Sequence, residues 1–230
     1  MPVLPYLTAF GPPLLIGYLL GSIPFGLVIT RLAGLGDIRD IGSGNIGATN
    51  VLRTGRKDLA LATLVLDAGK AGLAFFVCLW AMGWYYRSYA PGAEPAAFFS
   101  MGLVGGAAAF FGHCFPVWLK FKGGKGVATF VGLLLASMWQ VGLAFAAAWL
   151  LTVAIFRMSS LGALVATALA PAAVWYFGYG EFAATIAVAL ALLIYWRHRA
   201  NLSRIVAGTE PKIGAKKSKG AETPPPEPAG

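Results

Sequence analysis

Long apolar runs separated by short polar and basic gaps make up most of this chain. Uninterrupted apolar stretches lie near residues 10–30, 59–80 and 96–117, and two longer tracts follow at 127–156 and 158–196. An α-helix needs about 20 apolar residues to cross the hydrocarbon core of a bilayer. The pattern therefore predicts helices that span a membrane, and it leaves open how many crossings the two long tracts contain.

Basic residues mark the gaps between these runs and divide the two long tracts. They follow the first run (Arg31, Arg39, Arg53, Arg56 and Lys57), the third (Lys120, Lys122 and Lys125) and the last (Arg197, Arg199 and Arg204). Arg157 separates the two tracts. Because basic loops stay on the cytoplasmic side, each tract should be a hairpin of two rather short helices, with turns near Ser137–Gln140 and Gly178–Glu181.

This arrangement predicts an all-α integral membrane protein with seven transmembrane helices, its N-terminus outside and its C-terminus cytoplasmic. A five-span variant, in which re-entrant segments replace one hairpin, is the main alternative. Residues 1–212 are expected to form a single membrane domain. The Lys-rich and Pro-rich residues 213–230 cannot bury a core and are expected to be a disordered cytoplasmic tail.

The composition excludes two other classes of protein. With 58% hydrophobic and only 12% charged residues, the chain lacks the charged surface of a soluble domain. Its net charge of +9 does not indicate nucleic-acid binding, because the basic residues lie between apolar runs rather than on one amphipathic face. Cys78 and Cys114, within or at the end of apolar runs, make neither a disulfide framework nor a metal cluster, and no metal or cofactor is expected.

The first of three polar clusters runs from Gly42 to Arg53. Its glycines free the backbone to turn N–H groups inward, and its small polar side chains add further donors, an arrangement typical of anion binding. Arg53 would supply a full charge and a bidentate fork. The alternative is a flexible loop with an Asn cap for the next helix. The candidate residues here are Ser43, Gly44, Asn45, Gly47, Thr49, Asn50 and Arg53.

The second cluster runs from His113 to Thr129. It is not a nucleotide-binding P-loop, because Leu119 and Gly126 stand where that motif needs Gly and Ser or Thr. Lysines on a glycine-rich hinge before a helix still favour an anion, although a loop that merely sets topology is the alternative. His113 and Cys114 diverge by about 100° on a helix and form no dyad. The candidates are His113, Lys122, Gly123, Gly124, Lys125 and Gly126.

The third cluster comprises residues 198–204 and Gly208–Glu210. His198, Asn201 and Arg204 recur at spacings of three and would share one side of a helix at the membrane surface. The alternative is a basic cytoplasmic end of the last helix, favoured by the helix dipole and by lipid headgroups. Glu210 completes the set of candidates in this cluster.

Asp67 and Lys70 lie three residues apart inside the second apolar run. An ionisable pair at such a depth is by default a functional hypothesis, and a helix-stabilising ion pair is its rival. We expect the pair to give structural support near the site.

With the three clusters in this order, the chain resembles the bacterial acyl-phosphate:glycerol-3-phosphate acyltransferases, the PlsY family. The resemblance extends from about Gly21 to Lys212. It implies a seven-span enzyme of the bacterial inner membrane that moves a fatty acyl group from acyl phosphate to the 1-hydroxyl of glycerol 3-phosphate, giving lysophosphatidic acid. Ala200, where Glu is expected, and the Pro-rich tail are minor departures.

The acyl phosphate that the resemblance implies is a mixed anhydride with a good leaving group, so direct attack is the simpler mechanism. Loop amides with Ser43, Asn45, Thr49 and Arg53 would hold phosphate or polarise the carbonyl, Lys122 and Lys125 would neutralise the leaving phosphate, and Asn201, Arg204 and His198 would seat glycerol 3-phosphate. The base is either His198 or the substrate's own phosphate. Ser43 as a nucleophile is the rival mechanism.

Other mechanisms and functions fit the sequence less well. A His-x-x-x-x-Asp dyad is excluded, because residues 118 and 203 are Trp and Ser. An anion transporter would need polar groups through the membrane, and the apolar runs offer few beyond Asp67 and Lys70. A scaffold without chemistry would leave three dense polar motifs unexplained. Expected partners are the two substrates and membrane lipids, and the oligomeric state is open, with a monomer as the simplest case.

Overall fold

The structure, a computed structural model, describes residues 4–89 and 95–214, and every regular element in those ranges is helical. The α-helices are α1 (Leu4–Gly21), α2 (Phe25–Leu32), α3 (Ala48–Val51), α4 (Lys57–Tyr89), α5 (Pro95–Cys114), α6 (Val127–Ser137), α7 (Trp139–Phe156), α8 (Ser159–Tyr176), α9 (Gly180–Arg197) and α10 (Arg199–Val206). Short 3₁₀ turns occupy Ile38–Asp40, Leu52–Thr54 and Val117–Leu119. The predicted tail lies almost wholly outside the described residues, and the domain boundary at 212 stays a prediction.

Six segments of the described chain are long and apolar enough to cross a membrane, at Phe10–Leu32, Lys57–Ser88, Ala96–Leu119, Trp139–Phe156, Ser159–Tyr176 and Gly180–Arg197. This confirms the all-helical membrane class. The seventh expected crossing falls on α6, which has 11 residues. At 1.5 Å per residue it rises only about 16 Å, roughly half of the hydrocarbon thickness. The seven-span count therefore stays a prediction.

The helix breaks lie where the two hairpin turns were expected. Between α6 and α7, Met138 leaves the helical conformation at φ −142° and ψ 66°. Between α8 and α9, Gly178 and Gly180 adopt positive φ angles of 73° and 86°. Because other residues are strained at such angles, the glycines allow a tight reversal there.

The first apolar run is broken, which its hydropathy did not indicate. Pro24 has no N–H to continue the helix, so α1 ends at Gly21 and α2 begins at Phe25. The break leaves the carbonyl of Ile23 available inside the bundle, where it accepts a hydrogen bond from Lys70 at 2.9 Å. A helix interruption thus provides the acceptor that a buried ammonium group needs.

Glycines bring the helices around α5 into close contact. A Cβ at Gly17 or Gly21 would overlap the backbone of Gly105 or Ala109 on α5. A Cβ at Gly102 or Gly106 would overlap Phe75 or Leu133. The four-residue spacing of these glycine pairs thus allows close packing between helices.

The loop between α2 and α4 has a small hydrophobic core of its own. Leu27, Ile38, Ile46 and Val51 are each 2% exposed or less and pack together with Ala60 of α4. Because these contacts fix the backbone on both sides of Ser43–Asn45, the glycine-rich stretch is an ordered part of the fold rather than a flexible linker.

Candidate active site

The polar clusters meet at one end of the helical bundle. The second joins the third where Lys125 donates a hydrogen bond to Oδ1 of Asn201. The first cluster contacts the start of α8, where the hydroxyls of Thr49 and Ser159 lie 3.3 Å apart. The charge of Arg53 is close enough to Lys125 to lower its pKa. The basic gaps of the sequence therefore form a single polar face.

Asn50 organises the first cluster. Its side chain is 2% exposed, donates to the carbonyls of Ile38 and Ile41 at 2.8 and 2.9 Å, and accepts from the backbone N–H of Ser43 at 3.1 Å. These bonds tie both ends of the loop together, so the Asn50 amide is committed to the loop. Gly44 lies at the exposed tip with φ +67°, in the left-handed region that favours glycine.

The other side chains of this loop differ in how free they are. Asn45 caps its neighbour by accepting from the backbone N–H of Ile46 at 2.9 Å. The Ser43 hydroxyl lies 3.3 Å from Oδ1 of Asn50. Ser43, Thr49 and Arg53 are exposed at the polar face. They are placed to meet a ligand from solvent.

Gly123 and Gly124 form a tight turn at the end of α5. Their N–H groups donate to the carbonyls of Cys114 and His113 at 3.1 and 3.0 Å. A Cβ on either glycine would overlap an atom of His113. Gly126 directly precedes α6, with φ +86° and its Cα against the ring of Phe110. Small residues are thus required here by packing.

His113 lies beneath this turn in a buried charged network with Asp67 and Lys70, all three at most 4% exposed. The Lys70 ammonium group donates to Oδ1 of Asp67 at 2.8 Å, to Nδ1 of His113 at 2.9 Å and to the Ile23 carbonyl at 2.9 Å. All three ammonium protons are therefore used. The partners of His113 lie inside the bundle, and Asp67 and Lys70 lie next to the site, as expected for structural support.

Glu210 links the third cluster to α8. Its carboxylate accepts from Ser160 at 2.6 Å, from Asn201 at 2.6 Å and from Arg204 at 2.7 Å. Burial acts to raise the pKa of Glu210, but these three hydrogen bonds outweigh it and hold the pKa below its ordinary value. Glu210 is ionised at neutral pH and fixes the orientation of the Asn201 amide.

Two groups in this face have strongly shifted pKa values. Burial lowers the pKa of Lys125 to about 8, with Glu210 opposing the shift and nearby Arg side chains adding to it. Burial lowers the pKa of His198 to about 4. Its Nδ1 lies 2.8 Å from the Ile194 carbonyl, which can only accept, so Nδ1 carries the proton and Nε2 keeps a free lone pair.

Sequence reasoning missed three residues of this face. Arg197 donates to the carbonyls of Gly123 and Gly124, Ser160 binds Glu210, and Ser159 meets Thr49. Arg197 was interpreted only as a topology signal, although it precedes His198 and lies four residues before Asn201. Lys122 is exposed beside the glycine pair.

Comparison with known proteins identifies the family of this chain. A family model described as glycerol-3-phosphate acyltransferase matches residues 13–208. The chain belongs to this family. Among curated glycerol-3-phosphate acyltransferases, that of Maricaulis maris (strain MCS10) is 61% identical over 202 residues, covering 88% of this chain and 86% of the relative. That of Rhodospirillum rubrum is 59% identical over 203 residues, covering 88% and 90%.

Solved structures of the same family share the fold. A crystal structure of PlsY (YgiH), an integral membrane glycerol 3-phosphate acyltransferase in its glycerol 3-phosphate form, matches with a TM-score of 0.76 at 34% identity, covering 88% of this chain and 94% of that chain. The lysophosphatidic acid form matches with a TM-score of 0.74 at 33% identity. The predicted family resemblance is confirmed, and this glycerol-3-phosphate acyltransferase fold brings the described polar face together.

Proposed function

We propose that this protein transfers a fatty acyl group from acyl phosphate to the 1-hydroxyl of glycerol 3-phosphate, giving lysophosphatidic acid and phosphate. Glycerol-3-phosphate acyltransferase family membership supports the acceptor, and the related PlsY structures carry this acceptor and this product. The identity of the donor as an acyl phosphate is the more specific part of the proposal. The reaction would be the first acylation step of bacterial phospholipid synthesis.

The contact between Lys125 and Asn201 is the observation that carries the proposal. It places a cation from the loop before α6 beside an amide of α10, at the polar end of an apolar bundle. Arg53, Arg197 and Arg204 surround this point with positive charge. Two phosphate-bearing substrates, one soluble and one attached to a lipid chain, need a cationic site of this kind at the membrane surface.

The orientation in the membrane follows from the same face. Because the basic gaps share one end of the bundle, we place that end in the cytoplasm of a bacterial inner membrane, with the N-terminus outside and the C-terminus inside. In this arrangement α6 and α7 form one hairpin, α8 and α9 the next, and α6 completes seven crossings. No partner protein is needed, and a monomer would suffice.

The residues of the first two clusters would receive the donor. Exposed Ser43, Gly44 and Thr49 with Arg53 would contact its phosphate or acyl carbonyl, and Lys122 and Lys125 would neutralise the phosphate as it leaves. Asn45 and Gly47 would shape the loop that carries these donors. Gly123, Gly124 and Gly126 would shape the turn that positions Lys122 and Lys125, because their backbone packs against His113 and Phe110.

Glu210 takes one N–H of the Asn201 amide, so the second N–H, together with Arg204, would seat glycerol 3-phosphate. Asn50 and Glu210 have their polar atoms bonded within the protein, and Nδ1 of His113 accepts from Lys70, so we assign all three to support of the site rather than to substrate contact. A buried side chain whose partners are internal cannot turn to a ligand without leaving those partners unpaired.

The proton of the attacking hydroxyl would go to the substrate's phosphate. The pKa of His198, about 4, makes it a weak base. The second ionisation of a phosphate ester has a pKa of about 6, so the phosphate holds the proton about 100 times more strongly. His198 would then orient the acceptor through Nε2. Loss of less than about tenfold in kcat for His198→Ala supports this route, and a loss of about 10²-fold or more favours His198 as the base.

The decisive assay uses purified protein in lipid vesicles with acyl phosphate and glycerol 3-phosphate. Formation of lysophosphatidic acid, detected by mass spectrometry, is the expected result. Parallel reactions with acyl-CoA and acyl-carrier protein test the donor. Product from acyl-CoA or acyl-carrier protein but not from acyl phosphate would reject the proposed donor, and absence of product from all three would reject the activity.

A further inference from the structure

All four polar backbone groups of the Gly123–Gly124 pair are bonded. The two N–H groups donate to carbonyls at the end of α5, and the two carbonyls accept from Arg197, at 2.6 Å for Gly123 and 3.0 Å for Gly124. Because neither glycine has room for a Cβ, the pair is fixed from both sides. Arg197 alone bonds the two glycine carbonyls among the described residues.

The side chain of Arg197 suits this contact. Its Nε and Nη2 groups are separated by the planar guanidinium and meet two consecutive carbonyls. The guanidinium carbon lies 5.5 Å from the centre of the Phe115 ring, which supports it from a second direction. A lysine would keep the charge but not the fork, since its ammonium group is a single point charge on a flexible stem.

Lys125 follows the clamped pair directly in the chain. Its ammonium group is bound by Asn201, four residues after Arg197. At the junction of α9 and α10, Arg197 therefore holds the backbone that leads to Lys125, and Asn201 holds the Lys125 ammonium group. Both bonds of Arg197 end on glycine carbonyls, so it holds the backbone that leads to Lys125, and its charge adds to the lowering of the Lys125 pKa.

We propose that Arg197 is a positioning residue that sets the location of the Lys125 ammonium group by clamping the Gly123 and Gly124 carbonyls. Its effect on turnover rests on the proposed function. Its effect on the environment of Lys125 does not, which allows the two to be tested separately.

The experiment measures acetylation of individual lysines by a trace of acetic anhydride, read by peptide mass spectrometry on protein in vesicles. The variants are Arg197→Lys, Arg197→Gln and Arg197→Ala, with Arg199→Lys and Arg199→Ala as matched controls. Arg199 lies two residues away, is exposed and packs its guanidinium on Trp196, 4.7 Å from the ring centre. Exposed Lys120 and Lys122 and buried Lys70 serve as internal references.

All three Arg197 variants should raise labelling of Lys125 about threefold or more, because the loosened turn exposes it. Labelling of Lys120, Lys122 and Lys70 should not change, and the Arg199 variants should match the parent protein. In the acyltransferase assay, Arg197→Lys should lose about tenfold in kcat/KM, close to Arg197→Ala, since charge alone does not restore the clamp.

Three outcomes would overturn the proposal. Unchanged Lys125 labelling in Arg197→Lys and Arg197→Gln would show that the clamp does not position this residue. Labelling of Lys70 that rises with that of Lys125 would indicate general loosening of the bundle. Activity retained by Arg197→Lys but lost by Arg197→Ala would assign Arg197 to charge recognition. Raised labelling with a parent protein inactive in the assay would leave the clamp standing and reject the proposed function.

Discussion

Lys125 and Asn201, separated by 76 positions in sequence, are joined by a hydrogen bond from the ammonium group to Oδ1. The other end of the same amide donates to Glu210 at 2.6 Å. Asn201 is therefore a neutral bridge between a cation and a carboxylate, and its orientation is fixed by both. The amide keeps Lys125 and Glu210 connected without allowing them to neutralise each other directly.

Replacing the bridge should disable the site while sparing the fold. In Asn201→Leu, the charged groups of Lys125 and Glu210 each lose their hydrogen bond to the neutral amide, and a bond of this charge-assisted kind is worth about 1.5–3 kcal/mol. We expect kcat/KM for glycerol 3-phosphate to fall by about 10- to 100-fold. Ser203→Ala, which alters an exposed hydroxyl on α10, is the control. Equal activities of Asn201→Leu and Ser203→Ala would refute a role for the Asn201 amide in holding Lys125 and Glu210 in place.

Activity should fall in alkaline solution. Because the pKa of Lys125 is about 8, its positive charge is present below that pH and is lost as the pH rises through it. The charged groups around it are Glu210, Arg204, Arg197 and Arg53. Lys125→Arg should be slower but should keep its rate up to about pH 10, since Arg stays protonated. The measurement is kcat/KM against pH, and an unchanged alkaline limb in Lys125→Arg would contradict the assignment.

The small size of Gly44 can be separated from its backbone strain. Gly44 and Gly36 have φ angles of +67° and +72°, so a side chain at either costs a similar amount, roughly 1–2 kcal/mol. A Cβ added at Gly36 would have open space around it, and this residue lies outside the polar clusters. Gly44→Leu should therefore abolish turnover, whereas Gly36→Leu should lower thermal stability similarly and remain active. Normal activity in Gly44→Leu would remove the phosphate-binding role of the loop.

No acyl-enzyme should form on Ser43. The hydrogen-bond partner of its hydroxyl is the amide oxygen of Asn50, which cannot act as a general base. Protein incubated with acyl phosphate and no acceptor should keep its intact mass and release no burst of phosphate. Ser43→Ala provides the reference spectrum. An acyl adduct present in the parent protein and absent in Ser43→Ala would establish the covalent mechanism.

His198 should make stability depend on pH in the acid range. Its pKa is about 4 in the folded protein against 6.5 ordinarily, so the unfolded chain binds more protons between these values. The contribution of His198 to the free energy of unfolding is fully present above pH 6.5. About 3 kcal/mol of it is lost as the pH falls towards 4. In His198→Gln this contribution should vanish. The measurement is the difference in Tm between parent protein and variant across about pH 4 to 7. Parallel Tm curves would exclude His198 as the source of the acid-range pH dependence.

Several features of the fold could be predicted without coordinates. The apolar runs and the breaks at Met138 and Gly178 follow from hydropathy, basic residues and turn residues, which are local properties of the chain. The break before Pro24 was missed, because its flanking residues are as apolar as a continuous span. The short α6 agrees with the expected turn near Ser137–Gln140, since the apolar tract begins at residue 127 and the helix ends at Ser137.

The sequence by itself determined the membrane class, the polar clusters and the family, because hydropathy, charge placement and short motifs depend only on residues that are near one another in the chain. Only the tertiary structure decided which groups are partners. Arg197 meets the carbonyl of Gly123 across 74 positions, Ser160 meets Glu210 across 50, and Lys70 meets the Ile23 carbonyl across 47. Such contacts depend on how close packing orients whole helices, and no local pattern encodes that orientation.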